Sequence, residues 1–192
     1  MALVNLDDPR VKRTRRLLVS AFERLVAEKS FRHLTVQEVA AAAGVNRATF
    51  YDHFEDKYAL LEAAVVEAFE QVMAEQLPPP EQFGGEDLPR LATTLLDFSS
   101  ARFRGSRRAD RQFDPLIESS IRETLHDYLR RWLAARVCPR QASASSTDTA
   151  ACVLTWGMFG VARQWVRDGR KRPAEQVAEE MVDVLGRLGL AA

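Results

Sequence analysis

Three histidines and two cysteines are the side chains of this 192-residue protein best suited to nucleophilic or metal chemistry. His33, His53 and His126 stand beside no Cys or acidic residue at a metal-binding or catalytic-triad spacing, and no glycine-rich loop offers a phosphate cradle. Cys138 and Cys152 form no metal or redox motif and read as free thiols. The expectation is a protein that is not an enzyme and takes no metal or cofactor.

What the chain does concentrate is positive charge. Its formal net charge is zero, yet residues 10–57 hold ten Lys or Arg against six Asp or Glu, and residues 58–192 hold seventeen against nineteen. Five of the ten fall within seven positions: Arg10, Lys12, Arg13, Arg15 and Arg16. Binding to phosphate requires local positive charge that displaces counterions, not a basic average. A basic N-terminal part and a slightly acidic body therefore point towards nucleic acid at one end. The N-terminus lacks the layout of a signal peptide and no apolar run approaches the roughly 18 residues of a membrane span. These features make the cytoplasm the expected location and exclude a membrane partner.

The elements that must position those charges are helical. Apolar alternation is missing and 3.6-residue periodicity is widespread. A first helix is predicted from Pro9 to Lys29–Ser30, with Leu18, Phe22, Leu25 and Val26 on its buried stripe. Thr35 and Glu38 have the spacing of a capping box and open a second helix, with Val36, Val39, Ala40 and Ala43 inward. Gly44 breaks it with the one residue that takes a left-handed turn freely. Asn46 caps a third helix, Arg47–Phe54, anchored by Phe50 and Phe54. A fourth helix is predicted from Asp56 to Gln76, ended by Pro78-Pro79-Pro80. Further helices are predicted over 88–104, 113–119, 120–136, 148–168 and 174–190, with a linker over 138–147. The total is about nine helices in an all-α fold.

Helix, Ala-Gly-Val turn, helix is the helix-turn-helix arrangement. A short helix projects into a major groove about 12 Å wide while the preceding one braces it across the backbone. Ala40–Ala43 allow close approach of the two helices, and Arg47, Ala48, Thr49, Tyr51, Asp52 and His53 are left for the outer face.

The run Thr35-Val-Gln-Glu-Val-Ala-Ala-Ala-Ala-Gly-Val-Asn-Arg-Ala-Thr-Phe-Tyr-Asp-His-Phe-Glu-Asp-Lys-Tyr-Ala-Leu-Leu closely resembles the signature of the TetR family of regulators. The resemblance covers residues 10–65. It implies a DNA-binding domain over 1–56 and a helical effector-binding and dimerisation domain over 57–192. It further implies a homodimer that binds double-stranded DNA at a palindromic operator, acting as a repressor released by an unidentified small molecule. Residue by residue, it places Thr35, Tyr51, His53 and Lys57 at positions that grip the DNA backbone, and Asn46, Arg47, Ala48 and Thr49 at the start of the reading helix. There Arg47 can pair with guanine, and Thr49 can meet a thymine methyl or a phosphate.

The body is less specific. Residues 155–169 resemble the ending of the penultimate helix in many TetR-type proteins, Gly followed at a distance by Trp and Gly. Leu154, Met158, Val161 and Trp165 fall on one face of that helix, and Val177, Met181, Val184 and Leu188 recur along the last one at near-heptad spacing. These eight are the expected dimer interface. Phe98, Phe103, Trp132, Trp156 and Phe159 are the expected walls of an effector pocket. A DNA-binding protein without a ligand is the rival reading, favoured by a C-terminal half packed solid.

Overall fold

The computed structural model describes residues 8–104, 108–136 and 144–187. Among them are eight α-helices and no strand: α1 (Pro9–Glu28), α2 (Val36–Ala42), α3 (Arg47–Tyr51), α4 (Lys57–Gln76), α5 (Leu88–Arg104), α6 (Asp114–Arg136), α7 (Ala144–Arg167) and α8 (Ala174–Arg187). Short 3-10 turns lie over Phe31–His33, Gly85–Asp87 and Arg108–Phe113. The all-α expectation holds, with one helix fewer than expected. The segments expected as separate helices, 113–119 and 120–136, are a single α6, because Ser119 and Ser120 do not break it. Ile117, Ile121, Leu125 and Leu129 continue one buried stripe across them, and the Thr124 hydroxyl donates back to the Ser120 carbonyl at 2.9 Å. A mid-helix serine costs only a few tenths of a kcal/mol of propensity, roughly, and the stripe outweighs it.

The described chain forms two compact units. One takes the residues up to Glu67 together with the stretch from Arg108 to Ile117; the other takes Ala68 to Arg104 and Glu118 onward. The first unit contains the helix-turn-helix. Asp8 starts α1 by accepting from the Arg10 amide at 2.8 Å, with Pro9 in the first turn. Leu18, Val19, Ala21 and Phe22 form the buried face of α1, and α2 packs on it. The Thr35–Glu38 capping box is present at the start of α2. At its end Gly44 takes φ +71°, and the Val45 amide donates to Ala40 (3.0 Å) while that of Gly44 donates to Ala41 (3.1 Å). These paired bonds satisfy carbonyls that a helix end otherwise leaves open.

The second unit is built on α5. Leu88, Leu91, Ala92, Leu95 and Leu96 are fully buried, and α5 packs on α7 and α8. The buried face of α8 is Ala174, Val177, Ala178, Met181 and Leu185, a 3.6-residue stripe. At the end of α7, Gly169 repeats the device of Gly44, with φ +79° and the Arg170 amide bonded back to Trp165 at 3.0 Å.

Gly44→Ala forces an L side chain into the left-handed region, at a cost of about 1–2 kcal/mol. Urea denaturation followed by circular dichroism is expected to show that loss; an unchanged midpoint would mean that the turn does not depend on glycine.

Candidate nucleic-acid interface

The reading helix α3 has five residues, far below the length at which a helix holds itself in water. It is held from outside. Asn46 Oδ1 accepts from the Thr49 amide at 2.7 Å, capping its start. Phe50 and Phe54, both buried, are 5.8 Å apart beneath it. Burying one such ring stabilises by about 1.5–3 kcal/mol, enough to fix a single turn. The sequence expectation carried α3 on to Phe54. The α-helix stops at Tyr51 instead, and the amides of His53 and Phe54 both fold back on the Phe50 carbonyl, at 3.0 and 2.9 Å.

Helix α2 is bracketed at both ends, by the residue that caps α1 and by one within it. Lys29 pairs with Glu38 at the start, and Arg24 Nη2 donates to the Ala42 carbonyl at 3.1 Å at the end. The Lys29 ammonium, then the Thr35 hydroxyl and amide, hold the Glu38 carboxyl at about 2. The Thr35 hydroxyl is already engaged, donating to Glu38 Oε2 at 2.7 Å.

On the outer face, Asn46, Arg47, Ala48, Tyr51 and Asp52 are exposed, and Thr49 is half-buried. Arg47 Nη2 donates to the Tyr51 hydroxyl at 3.1 Å, and its guanidinium stands 5.4 Å from the Tyr51 ring. The two side chains expected to face DNA thus orient each other one helical turn apart. Arg10, Lys12, Arg13 and Arg16 are exposed along α1. Arg15 is engaged within the unit: its Nε donates to Glu67 at 3.1 Å and its guanidinium lies 4.5 Å over the Phe54 ring. His53 Nδ1 is buried with no hydrogen-bond partner among the described residues, and burial lowers the imidazole pKa below its ordinary value, the Asp52 charge opposing and the Arg15 charge assisting.

Lys57, expected at the DNA backbone, is engaged within its own unit. Its Nζ donates to three backbone carbonyls, Leu34 at 2.9 Å, Arg32 at 3.1 Å and Phe31 at 3.2 Å, and lies 4.8 Å from the Phe31 ring. An ammonium has three protons, and all three are matched here. Burial lowers its pKa, with Asp110 opposing. Lys57 fastens the turn that leads into α2 instead of reaching outward. The sequence contains no signal for this, because a lysine at a helix start reads the same whether it points out or in.

In the second unit the residues expected at a dimer interface divide by burial. Leu154, Met158, Trp165, Val177 and Met181 are buried within their own chain, while Val161 and Val184 are exposed; Leu188 lies outside the described residues. The apolar side chains that α7 leaves uncovered are Trp156 (56% exposed), Val153 (51%) and Val161, with Gly157 and Gly160 exposed between them. Periodicity alone could not tell which of the two apolar sides of α7 the chain itself would cover. The expected pocket residues also part company. Trp132 and Phe159 are buried, Phe98 is half-buried against Phe69 at 4.7 Å, and Trp156 lies on the surface under the Arg122 guanidinium at 4.6 Å. The Phe103 side chain lies outside the described residues. The Trp132 Nε1 is buried with no acceptor among the described residues.

Comparison with known proteins agrees with this geometry. Residues 18–64 match the family described as bacterial regulatory proteins, tetR family. An uncharacterised HTH-type transcriptional regulator of Haemophilus influenzae is 52% identical over 46 residues, covering 23% of this chain and 22% of that protein. This chain therefore aligns with less than a quarter of that relative's length. Among solved structures, the TetR family repressor AlkX of Dietzia sp. strain DQ12-45-1b, implicated in biodegradation of n-alkanes, is similar over 91% of this chain and 94% of its own, with a TM-score of 0.57 and 18% identity. A TetR transcriptional regulator of Rhodococcus sp. RHA1 is similar over 93% and 97%, with a TM-score of 0.55 and 21% identity. At these identities the likeness concerns the fold.

Replacing Lys57 with Met removes the charged donor from the carbonyls of Phe31, Arg32 and Leu34, of which that of Phe31 keeps the Leu34 amide. The loss is expected at about 1–3 kcal/mol in urea denaturation. A variant as stable as the parent would mean that the ammonium is not holding the turn.

Proposed function

We propose that this chain, which belongs to the TetR family of bacterial regulatory proteins, is a sequence-specific DNA-binding transcriptional regulator, a repressor that a small molecule releases from its operator. The observation that carries the reading is the capped α2, the Gly44 turn and α3, with Arg47, Ala48 and Tyr51 exposed on one short, externally braced helix. In this reading residues 1–56 are the DNA-binding part and residues 57–192 the effector-binding and dimerisation part. Arg47 and Thr49 read base edges, and Asn46 and Ala48 lie against the groove. Thr35, Tyr51 and His53 grip the backbone, and the exposed basic residues of α1 supply sequence-independent attraction. Lys57 drops out of the phosphate contacts and becomes a brace.

A second copy of the chain is the proposed occupant of the exposed face of α7. Trp156, Val153 and Val161 would become the buried centre of a twofold interface, with Gly157 and Gly160 allowing close approach, and Val184 of α8 would extend it. Twofold symmetry matches a palindromic operator whose half-sites lie roughly 34–36 Å apart or a multiple of that. A ligand that prefers one arrangement of the dimer weakens DNA binding, and DNA then weakens ligand binding equally.

Selection of bound sequences from a random DNA pool is expected to return one palindromic site, checked by fluorescence anisotropy. Failure to enrich any sequence would remove the reading. On the selected site, Arg47→Ala is expected to cost about 1–3 kcal/mol and relax preference at one base position in each half-site. An equal loss on all sequences would instead make Arg47 a phosphate contact. Sedimentation of the full chain is expected to give a dimer that Trp156→Glu converts to monomer with the fold intact; a Trp156→Glu dimer would place the interface elsewhere.

A further inference from the structure

The turn between α1 and α2 is held by two opposite charges on its two edges. On the N–H edge, Asp110 Oδ1 accepts from the Ser30 hydroxyl at 2.7 Å and the Arg32 amide at 3.1 Å, while Oδ2 accepts from the Phe31 amide at 3.2 Å. On the C=O edge, the Lys57 ammonium takes the carbonyls of Phe31, Arg32 and Leu34. Between the two charges the Phe31 ring is buried, edge-on to Phe113 at 4.7 Å, Tyr58 at 5.7 Å and Phe22 at 5.8 Å. Asp110 and Phe113 belong to the 3-10 turn Arg108–Phe113, some eighty residues along the chain from the groups they hold, yet in the same compact unit.

We infer that Asp110 is a positioning residue of the DNA interface, acting on Thr35 and the start of α2 through the turn 30–34. The inference rests on the DNA-binding reading above. Three considerations carry it. The 3-10 turn has only two internal backbone bonds of its own, His33 to Ser30 at 3.0 Å and Leu34 to Phe31 at 3.1 Å, so its orientation must come from outside. Helix α2 has seven residues and starts directly after this turn, so the direction of residues 30–34 sets where Thr35 stands. And a carboxylate in the compact unit that holds the DNA-binding part opposes phosphate by its charge, so its contribution here is geometric.

That last point gives the test its sign. By charge alone, Asp110→Asn removes repulsion and strengthens DNA binding. By geometry it turns an amide NH2 or a single oxygen towards three donors, frees the turn and weakens binding. The experiment measures two things in the full chain. One is hydrogen exchange of the amides from 30 to 36 without DNA. The other is the affinity of each variant for the operator selected with the parent, over a range of salt. Asp110→Asn is expected to speed exchange at Phe31 and Arg32 and weaken operator binding roughly tenfold, with the salt slope unchanged because no phosphate contact is lost. Ser30→Ala, which removes one of the three bonds, is expected to weaken binding roughly threefold with the same unchanged slope, and it decides the matter if Asp110→Asn does not fold. Binding equal to or tighter than the parent's in the folded variants overturns the inference, as does unaltered exchange. A parent chain that selects no DNA instead removes the DNA-binding reading, while the exchange measurement still reports on the turn.

Discussion

Helices of seven and five residues do not hold themselves in water, and the outer face of this protein's N-terminal unit is made of two such helices. Everything around them supplies order that their own hydrogen bonds cannot. The twenty-residue α1 provides the apolar bed of Leu18, Val19 and Phe22, and Arg24 within it and Lys29 just after it bracket the two ends of α2. The Gly44 turn fixes the angle between α2 and α3, because a paired set of bonds at φ +71° leaves the connection little other choice. Phe50 and Phe54 then fix the depth at which α3 stands.

Charges in this unit divide into those that hold and those that face outward. Arg15, Arg24, Lys29, Lys57, Glu38 and Asp110 all have partners within the unit. Individually, pairs near the surface stabilise little, about 0–1 kcal/mol. Their use is directional. A carboxylate and an ammonium on opposite edges of one short turn align its peptide groups in a way that apolar packing cannot. The exposed Arg47 is itself pre-oriented on Tyr51, so less side-chain freedom remains to be lost when it meets a partner.

How much of this was legible in the sequence depends on the range of the interaction. Caps, turns and anchors act over three to five residues, and Thr35–Glu38, Gly44, Asn46 and the Phe50–Phe54 pair could all be read from spacing. The Asp110 contacts span up to 80 residues and those of Lys57 up to 26, and nothing local distinguishes these two from solvated charges. The break expected between 119 and 120 is absent because a buried stripe, Ile117, Ile121, Leu125 and Leu129, runs through it. On α7 the face expected as one stripe divides: Leu154, Met158 and Trp165 are buried and Val161 is exposed, a difference that spacing alone does not carry.

That assignment bears on the zero net charge. Trp156, Val153 and Val161 are exposed on one helix of the more acidic part of the chain. The positive excess lies in the N-terminal residues, above all on α1. The zero net charge is thus an average over a basic N-terminal stretch and a slightly acidic remainder, and it says nothing by itself about either.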